Sequence, residues 1–190
     1  AGEKQVEVAD GSTAPYDRLL LANGSSARIP PFKGTDKKGI FTLRSIADAQ
    51  RIQDYTRGVE SAIVIGGGLL GLETARALTV LGLRVQIIEL FPRLLPIQLD
   101  EAGAAVLQRK LEERGMTVYT KAATDAILGM DEAAGVRLAD GRELDGQMVV
   151  VSAGIRPNID LAKEAGLQVN RGVLVDHTMR TSAEDIYAAG

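Results

Sequence analysis

The chain has 190 residues, of which 45% are hydrophobic and 25% are charged, and its net charge is −3. This balance is typical of a globular protein, and the absence of a basic block argues against nucleic acid or an anionic membrane as a partner. Because the sequence has no cysteine, a disulfide, a Cys-based metal site and a thiol redox pair are excluded from this chain. Without a long apolar run or a signal-like start, a cytoplasmic location is expected.

The first part of the chain has short extended segments and no crossover helix of its own. Strands are predicted over residues 5–8, 16–22 and 41–44. An apolar strand without a crossover helix usually belongs to a sheet whose other strands lie elsewhere. Ser45 then fits the N-cap of a helix over residues 46–57.

Residues 61–89 have the pattern of a strand, a glycine turn, a helix and a second strand. Residues 62–65 form an apolar run long enough for a buried strand. A helix is predicted over residues 69–80 and ends before Gly82. Its apolar positions at helical spacing are Leu69, Leu72, Ala75, Ala77 and Val80. Residues 85–88 form the second strand.

The turn carries the glycine pattern G-x-G-x-x-G, formed by Gly66, Gly68 and Gly71. The first glycine allows a tight turn, the second lets a pyrophosphate approach the backbone, and the third lets the helix pack on the strand. The free N–H groups of the helix then face the phosphates. Glu89 ends the second strand, where an acid accepts hydrogen bonds from ribose hydroxyls. Dinucleotide binding is therefore predicted; the alternative is a glycine turn of another α/β unit, with Glu89 simply exposed at a strand end.

The remaining elements continue an α/β pattern and interrupt it once. Asp100 fits the N-cap of a helix over residues 101–114, and a third parallel strand is predicted over residues 116–119. The period then changes to that of a small antiparallel meander. Its three strands span residues 126–130, 136–139 and 143–147, and they are followed by a return strand at 148–152, a short helix at 159–165, and strands at 173–175 and 186–189.

Few other residues indicate chemistry. Ala153 and Gly154 directly follow a buried strand, which puts backbone at the carboxyl edge of the sheet where ligands bind in open α/β folds. A simple strand-to-loop turn explains the same residues. His177 is the single histidine and has the polar surroundings of a surface residue. No residue has the setting of a general acid, a base, a nucleophile or a metal ligand.

Four blocks together resemble the FAD-dependent pyridine nucleotide oxidoreductases. They are residues 16–25 (YDRLLLANGS), 65–73 (IGGGLLGLE), 152–158 (SAGIRPN) and 181–190 (TSAEDIYAAG). Further blocks make the chain similar to the flavoprotein part of NAD(P)H-dependent nitrite reductase large subunits. These are residues 94–103 (LLPIQLDEAG), 138–144 (LADGREL) and 169–176 (VNRGVLVD).

The resemblance implies a Rossmann-like, three-layer NAD(P)-binding domain with an antiparallel β-meander, attached to partial FAD-domain segments. Residues 1–44 would be a partial FAD-domain segment, residues 45–156 the NAD(P)-binding domain, and residues 157–190 the start of the return to the FAD domain. The chain is accordingly expected to be a fragment of a longer flavoprotein.

Residue roles also follow from the resemblance. The NAD contacts would be Gly66, Gly67, Gly68, Leu69, Leu70, Gly71, Glu73, Glu89, Ala153, Gly154 and Ile155. The FAD contacts would be Ala22, Asn23, Gly24, Arg44 and Gly190. Asn23 departs from the family, which usually has Thr there. Glu73, assigned to the first turn of its helix, would lie near the junction of nicotinamide and flavin, or would complement the helix dipole.

The implied activity is hydride transfer from NAD(P)H to the flavin, which the cofactors perform and the protein positions. NADH is favoured over NADPH because Glu89 would repel a 2′-phosphate, although Arg93 could soften this repulsion. Electrons would pass to an iron–sulfur and siroheme module outside the chain, or to a small redox protein. The alternatives are a ferredoxin or rubredoxin reductase, an NADH oxidase, and a non-catalytic NADH-binding module. The isolated chain is expected to be inactive.

Overall fold

A computed structural model of the chain describes residues 4–190. Four helices lie in this range: α1 (Ile46–Thr56), α2 (Leu69–Val80), α3 (Glu101–Glu112) and α4 (Asp160–Glu164). The strands are β1 (Gln5–Glu7), β2 (Thr13–Pro15), β3 (Leu19–Leu21), β4 (Ser25–Ala27), β5 (Ile40–Thr42), β6 (Ser61–Ile65), β7 (Arg84–Ile88), β8 (Thr117–Tyr119), β9 (Thr124–Leu128), β10 (Gly135–Leu138), β11 (Glu143–Asp145), β12 (Met148–Val151), β13 (Ile155–Pro157) and β14 (Ile186–Ala188).

The chain divides into two compact units. The first contains the described residues up to Ser26 together with Ile155–Gly190, and the second is Ala27–Gly154. Residues 27–44 therefore group with the second unit, where β5 is a strand of the main sheet. The assignment of residues 1–44 and 157–190 to an FAD domain stays a prediction.

The second unit is built on a five-stranded parallel sheet in the order β5-β12-β6-β7-β8. The central strand β6 is buried along all five of its residues. Its two neighbours are β7, reached through α2, and β12, reached much later along the chain. The strand order reverses between β6 and β12, and such a switch point is where open α/β sheets bind ligands.

The two faces of this sheet pack against different layers. Because side chains alternate along a strand, Ala62 and Val64 face the helices and join the cluster of Leu72, Ala75 and Leu78. Ile63 and Ile65 face the opposite side and pack with residues of the antiparallel sheet β9-β10-β11. The predicted α/β class with three layers and a meander is confirmed.

The buried side of α2 contains only some of its apolar residues. Leu69, Ala77 and Val80 are exposed, and the buried stripe is formed by Leu72, Ala75 and Leu78. The helix is apolar on most sides, so helical spacing alone did not select the side that meets β6 and β7.

The first unit contains three two-stranded pairs. The strands β1 and β2 form a hairpin, with Gly11 at a φ of 83° in its turn. The strands β3 and β14 are parallel neighbours, and β13 pairs with β4. The sequence pattern predicts no strand at the position of β13. The strand predicted at residues 173–175 is wrong, since Val173 makes only an isolated bridge with Val169.

No helix among residues 4–190 is both long enough and apolar enough to cross a membrane.

Helix α1 begins with a reciprocal cap. The Ser45 hydroxyl accepts the Asp48 N–H at 3.2 Å, and the Asp48 carboxylate accepts the N–H groups of Ser45 at 2.8 Å and Arg44 at 3.0 Å. The hydrogen bond from the Ser45 N–H, followed by those that the Ser45 hydroxyl and the Arg51 guanidinium donate to the carboxylate, lowers the pKa of Asp48 to about 2.

We predict that Asp48→Asn lowers the free energy of unfolding by about 1 kcal/mol near neutral pH, the usual size of an N-cap interaction. A lowered folded-state pKa gives stability that is present above the unfolded value of 3.8 and is lost as the pH falls through about 2. The difference in the free energy of unfolding between wild type and variant, measured by urea unfolding, should become smaller as the pH falls from 3.8 to about 2. Asp54→Asn, which removes an exposed acid of the same helix, should show neither effect.

Candidate dinucleotide-binding site

The glycine turn lies at the switch point of the sheet. The Gly66 N–H donates to the Ile88 carbonyl at 2.8 Å, and the Ser152 N–H donates to the Ile65 carbonyl at 2.8 Å. These two bonds hold the turn between the carboxyl ends of β7 and β12. The turn therefore lies at the edge where the sequence pattern predicts a ligand.

Two of the glycines are required by the packing of the turn itself. Gly66 has a φ of 122°, and a Cβ on it would lie 2.2 Å from the Ser152 carbonyl oxygen. A Cβ on Gly71 would lie 2.0 Å from the Gly66 carbonyl oxygen. Any side chain at either position would collide with backbone, so these glycines let strand, turn and helix come together.

Gly67 connects the turn to the loop after β7. Its N–H donates to Glu89 Oε2 at 2.7 Å, and its carbonyl accepts the Leu95 N–H at 3.2 Å. A Cβ at this position would lie 2.5 Å from Leu94 Cδ2 and 2.9 Å from Glu89 Oε2. Gly67 is therefore enclosed by the residues that follow β7.

Gly68 differs from the other three glycines. Its φ of −80° and ψ of 177° suit any residue, and a Cβ built on it meets no atom within 4 Å. It is the N-cap of α2 and has no side chain to cap the helix, whose first N–H groups lack partners within the helix. Open space in front of free N–H groups at a helix N-terminus fits a pyrophosphate.

Glu89 is buried, with 6% of its surface exposed. Its Oε2 accepts the Gly67 N–H at 2.7 Å and its Oε1 accepts the Phe91 N–H at 2.8 Å. The alternative in which Glu89 is simply exposed at a strand end is wrong. Each carboxylate oxygen can accept more than one hydrogen bond, so the contacts within the chain do not exhaust its capacity.

Glu73 is exposed and is the fifth residue of α2. The expectation that it lies in the first turn is wrong, because that turn contains no acidic residue. The effect of the helix dipole falls off beyond the first turn, so dipole complementation does not account for an acid at this position.

The segment after β12 continues along the same edge. Ala153 follows Ser152 directly, and the Gly154 carbonyl accepts the Arg28 N–H at 3.0 Å. Gly154 has a φ of 91° with open space around its Cβ position. Ile155 begins β13 in the first unit and is exposed.

In the first unit, four of the five candidate FAD residues lie near the carboxyl ends of two parallel strands. Residues 22–24 follow β3, and Gly190 follows β14 by two residues. The Ala189 N–H donates to the Leu21 carbonyl at 3.0 Å and so joins the two ends. Arg44 belongs to the second unit, is exposed, and directly precedes the cap of α1.

Two arrangements had no signal in the sequence. The amides of Asn23 and Asn158 each donate to the other's carbonyl, at 3.0 and 2.8 Å, and the Ser26 hydroxyl donates to Asn158 Oδ1 at 2.7 Å. Arg93 donates from Nε to the Leu99 carbonyl and from Nη2 to the Pro96 carbonyl, both at 3.1 Å. Only the folded chain brings these partners together.

Sheet order, glycine turn, open helix N-terminus and buried acid together define a dinucleotide-binding α/β fold. Residues 1–190 match the family model described as pyridine nucleotide-disulphide oxidoreductase. The chain belongs to this family of FAD-dependent NAD(P)H oxidoreductases. Residues 4–190 contain no group of acidic or histidine side chains that could hold a metal ion.

The chain is similar to curated proteins with several different names. It is 44% identical over 176 residues to a nitrite reductase [NAD(P)H] of Bacillus subtilis, covering 93% of the chain and 22% of that protein. It is 41% identical over 192 residues to the nitrite reductase (NADH) large subunit of Escherichia coli, covering 99% and 23%. It is 37% identical over 187 residues to the biphenyl dioxygenase ferredoxin–NAD(+) reductase component of Paraburkholderia xenovorans, covering 98% and 46%. The chain thus spans less than half of each of these relatives.

Solved structures show the same fold. An NAD-dependent persulfide reductase from A. fulgidus superposes with a TM-score of 0.94 at 38% identity, covering 99% of this chain and 36% of that one. A ferredoxin reductase from Rhodopseudomonas palustris superposes with a TM-score of 0.95 at 28% identity, covering 99% and 47%.

We predict that alanine destabilises the chain strongly at one glycine of the turn and hardly at another. Gly71→Ala forces a methyl group against the Gly66 carbonyl and should lower the free energy of unfolding by roughly 3 kcal/mol. Gly68→Ala meets open space and should change it by less than about 1 kcal/mol. Denaturant titrations of both variants measure this difference, and equal losses would contradict the described packing.

Proposed function

We propose that the chain is the NAD(H)-binding part of an FAD-dependent oxidoreductase that passes hydride from NAD(P)H to flavin. The observation that carries the proposal is Gly68, a glycine that neither its backbone angles nor its neighbours require. Its open space lies in front of the first N–H groups of α2, which is the setting of a pyrophosphate site.

The residues that follow β6 would hold the dinucleotide. Gly68, Leu69 and Leu70 would present backbone N–H groups to the pyrophosphate, while Gly66 and Gly71 allow the close packing that aims them. Gly67 would act differently, because its N–H is already donated to Glu89. Bound NAD(P)H supplies the hydride. The role of the chain is to bind the dinucleotide and to orient it.

Glu89 would accept hydrogen bonds from the adenosine ribose hydroxyls. Ala153, Gly154 and Ile155 would line the nicotinamide end by backbone contacts, with Glu73 near the junction of nicotinamide and flavin. The last assignment rests on family resemblance, and the exposure of Glu73 leaves its carboxylate available for it.

NADH is the preferred form in this proposal. The Glu89 carboxylate would face a 2′-phosphate with like charge. Arg93 is the nearest cation along the chain after Glu89. Two of its guanidinium N–H groups donate hydrogen bonds to the carbonyls of Leu99 and Pro96. Engaged in its own loop, Arg93 would offer a 2′-phosphate less compensation than a free guanidinium.

FAD would be held through Ala22, Asn23, Gly24, Arg44 and Gly190. Gly24 and Gly190 both have positive φ angles and open space at their Cβ positions, which suits close approach of a ligand to backbone. The Asn23 side-chain amide is donated to Asn158, so Asn23 would contact FAD through its backbone.

For the parent protein we propose a nitrite reductase of the large-subunit type, with an iron–sulfur and siroheme module as acceptor. The identities of 44% and 41% to nitrite reductases support this proposal, and a ferredoxin reductase component at 37% is about as similar. A ferredoxin or rubredoxin reductase or an NADH oxidase, with a different acceptor, is the second candidate. The isolated chain would bind NADH and catalyse no turnover.

The test of the proposed function is a calorimetric titration of the chain with NADH and, separately, with NADPH. We expect NADH to bind and to bind more tightly, because NADPH brings a phosphate toward Glu89. Tighter binding of NADPH would contradict the assigned preference, and the absence of binding by both, in a chain shown to be folded by circular dichroism, would contradict the site.

Gly68→Val should weaken NADH binding by at least about 100-fold, because a branched side chain would fill the space in front of α2. The fold should persist, since the same space is empty of protein atoms. Gly172→Val is the matched control, at another glycine with open space at its Cβ position and no positive φ. Unchanged NADH affinity in Gly68→Val would contradict the assignment of the pyrophosphate to this turn.

A further inference from the structure

The Glu89 carboxylate joins two segments of the carboxyl edge before any ligand is bound. One oxygen accepts the Gly67 N–H at 2.7 Å and the other accepts the Phe91 N–H at 2.8 Å. The first donor belongs to the glycine turn after β6, and the second to the loop after β7. One buried side chain thus fixes both segments to the end of its own strand.

The backbone of Glu89 adds a third segment. Its N–H donates to the Tyr119 carbonyl at 2.8 Å, and its carbonyl accepts the Ala122 N–H at 3.0 Å. The Lys121 N–H donates to the Phe91 carbonyl at 2.9 Å. The end of β8 is therefore held by the same residue.

A strained residue on the opposite side of Gly67 completes the enclosure. Leu95 is buried, has a φ of 47°, and donates its N–H to the Gly67 carbonyl at 3.2 Å. A positive φ costs free energy for a bulky residue and persists only where the surroundings impose it. Gly67 is thus held through its N–H by Glu89 and through its carbonyl by Leu95.

We propose that Glu89 is a positioning residue for the pyrophosphate-binding turn, in addition to any contact with ribose. Without the carboxylate, the buried Gly67 N–H and the part-buried Phe91 N–H lose their acceptor, and the N-terminus of α2 loses its fixed presentation. Dinucleotide affinity then depends on Glu89 even for a ligand that has no ribose hydroxyls. This inference rests on the proposed function for its ligand, and on the described hydrogen bonds for its mechanism.

A consequence concerns cofactor preference. Replacing the acid with a basic residue is the obvious way to favour NADPH if Glu89 serves only as a ribose ligand. If Glu89 also holds the turn, Glu89→Arg removes the acceptor of Gly67 and Phe91. The preference should then shift toward NADPH, but both dinucleotides should bind the variant more weakly than NADH binds the wild type.

The test compares ADP with 2′,3′-dideoxy-ADP, which lacks both ribose hydroxyls, in calorimetric titrations of wild type, Glu89→Gln and the control Glu143→Gln. Glu143 is an exposed acid of β11. We expect Glu89→Gln to weaken the dideoxy analogue by a factor of roughly ten and ADP by at least the same factor, with the control unchanged. If the affinity for ADP falls and the affinity for the dideoxy analogue does not change, Glu89 acts only as a ribose ligand and the proposal is wrong.

Amide hydrogen exchange separates this inference from the proposed function, because it needs no ligand. In wild type the Gly67 and Phe91 amides should be protected, and in Glu89→Gln they should exchange at least about tenfold faster while Ile63 of β6 stays protected. Rapid exchange of Gly67 in wild type, or equal protection in wild type and a folded variant, overturns the positioning role. If wild type binds neither ADP nor NADH, the proposed function fails and the exchange result still decides the role of Glu89.

Discussion

The carboxyl edge of the parallel sheet depends on one buried carboxylate and the two N–H groups that it accepts. Burying a charge is costly unless hydrogen bonds compensate it, and Gly67 and Phe91 supply that compensation for Glu89. The hydrogen bond from Gly67 to Glu89 also fixes the backbone of the glycine turn. The open space in front of Gly68 has a defined shape because the enclosed residues behind it cannot move without leaving a buried charge unpaired.

The layers of the second unit put this edge where a ligand can reach it. Strand β6 is buried on both faces, by the helices on one side and by the meander on the other, so its end is the part left accessible. The sheet order reverses between β6 and β12, which separates the connections that leave the two strands. Close contact of Gly66 and Gly71 with neighbouring backbone then brings the start of α2 to that gap.

Family membership and particular activity rest on different parts of a protein. The fold and the site belong to the part that the chain contains, and this part is alike in relatives named nitrite reductase and ferredoxin reductase. The chain spans 22% and 23% of the two nitrite reductases and 46% of the ferredoxin reductase component, so most of each relative lies outside the region of likeness. For this reason the geometry of the described residues bears on the nicotinamide cofactor, whereas only the likeness to relatives bears on the acceptor.

The sequence by itself determined the strand and helix pattern of residues 61–119, the antiparallel meander, the bounds of α2 and the place of the glycine turn, because these follow from local periodicity and from glycine chemistry. The three-layer class was implied by the family resemblance. It did not determine which side of the largely apolar α2 is buried, nor that Glu73 lies beyond the first turn. Only the tertiary structure decided that Glu89 is turned inward onto Gly67 and that Asn23 and Asn158 pair across 135 positions. Such contacts depend on where distant strands end in space, and no local pattern records that distance.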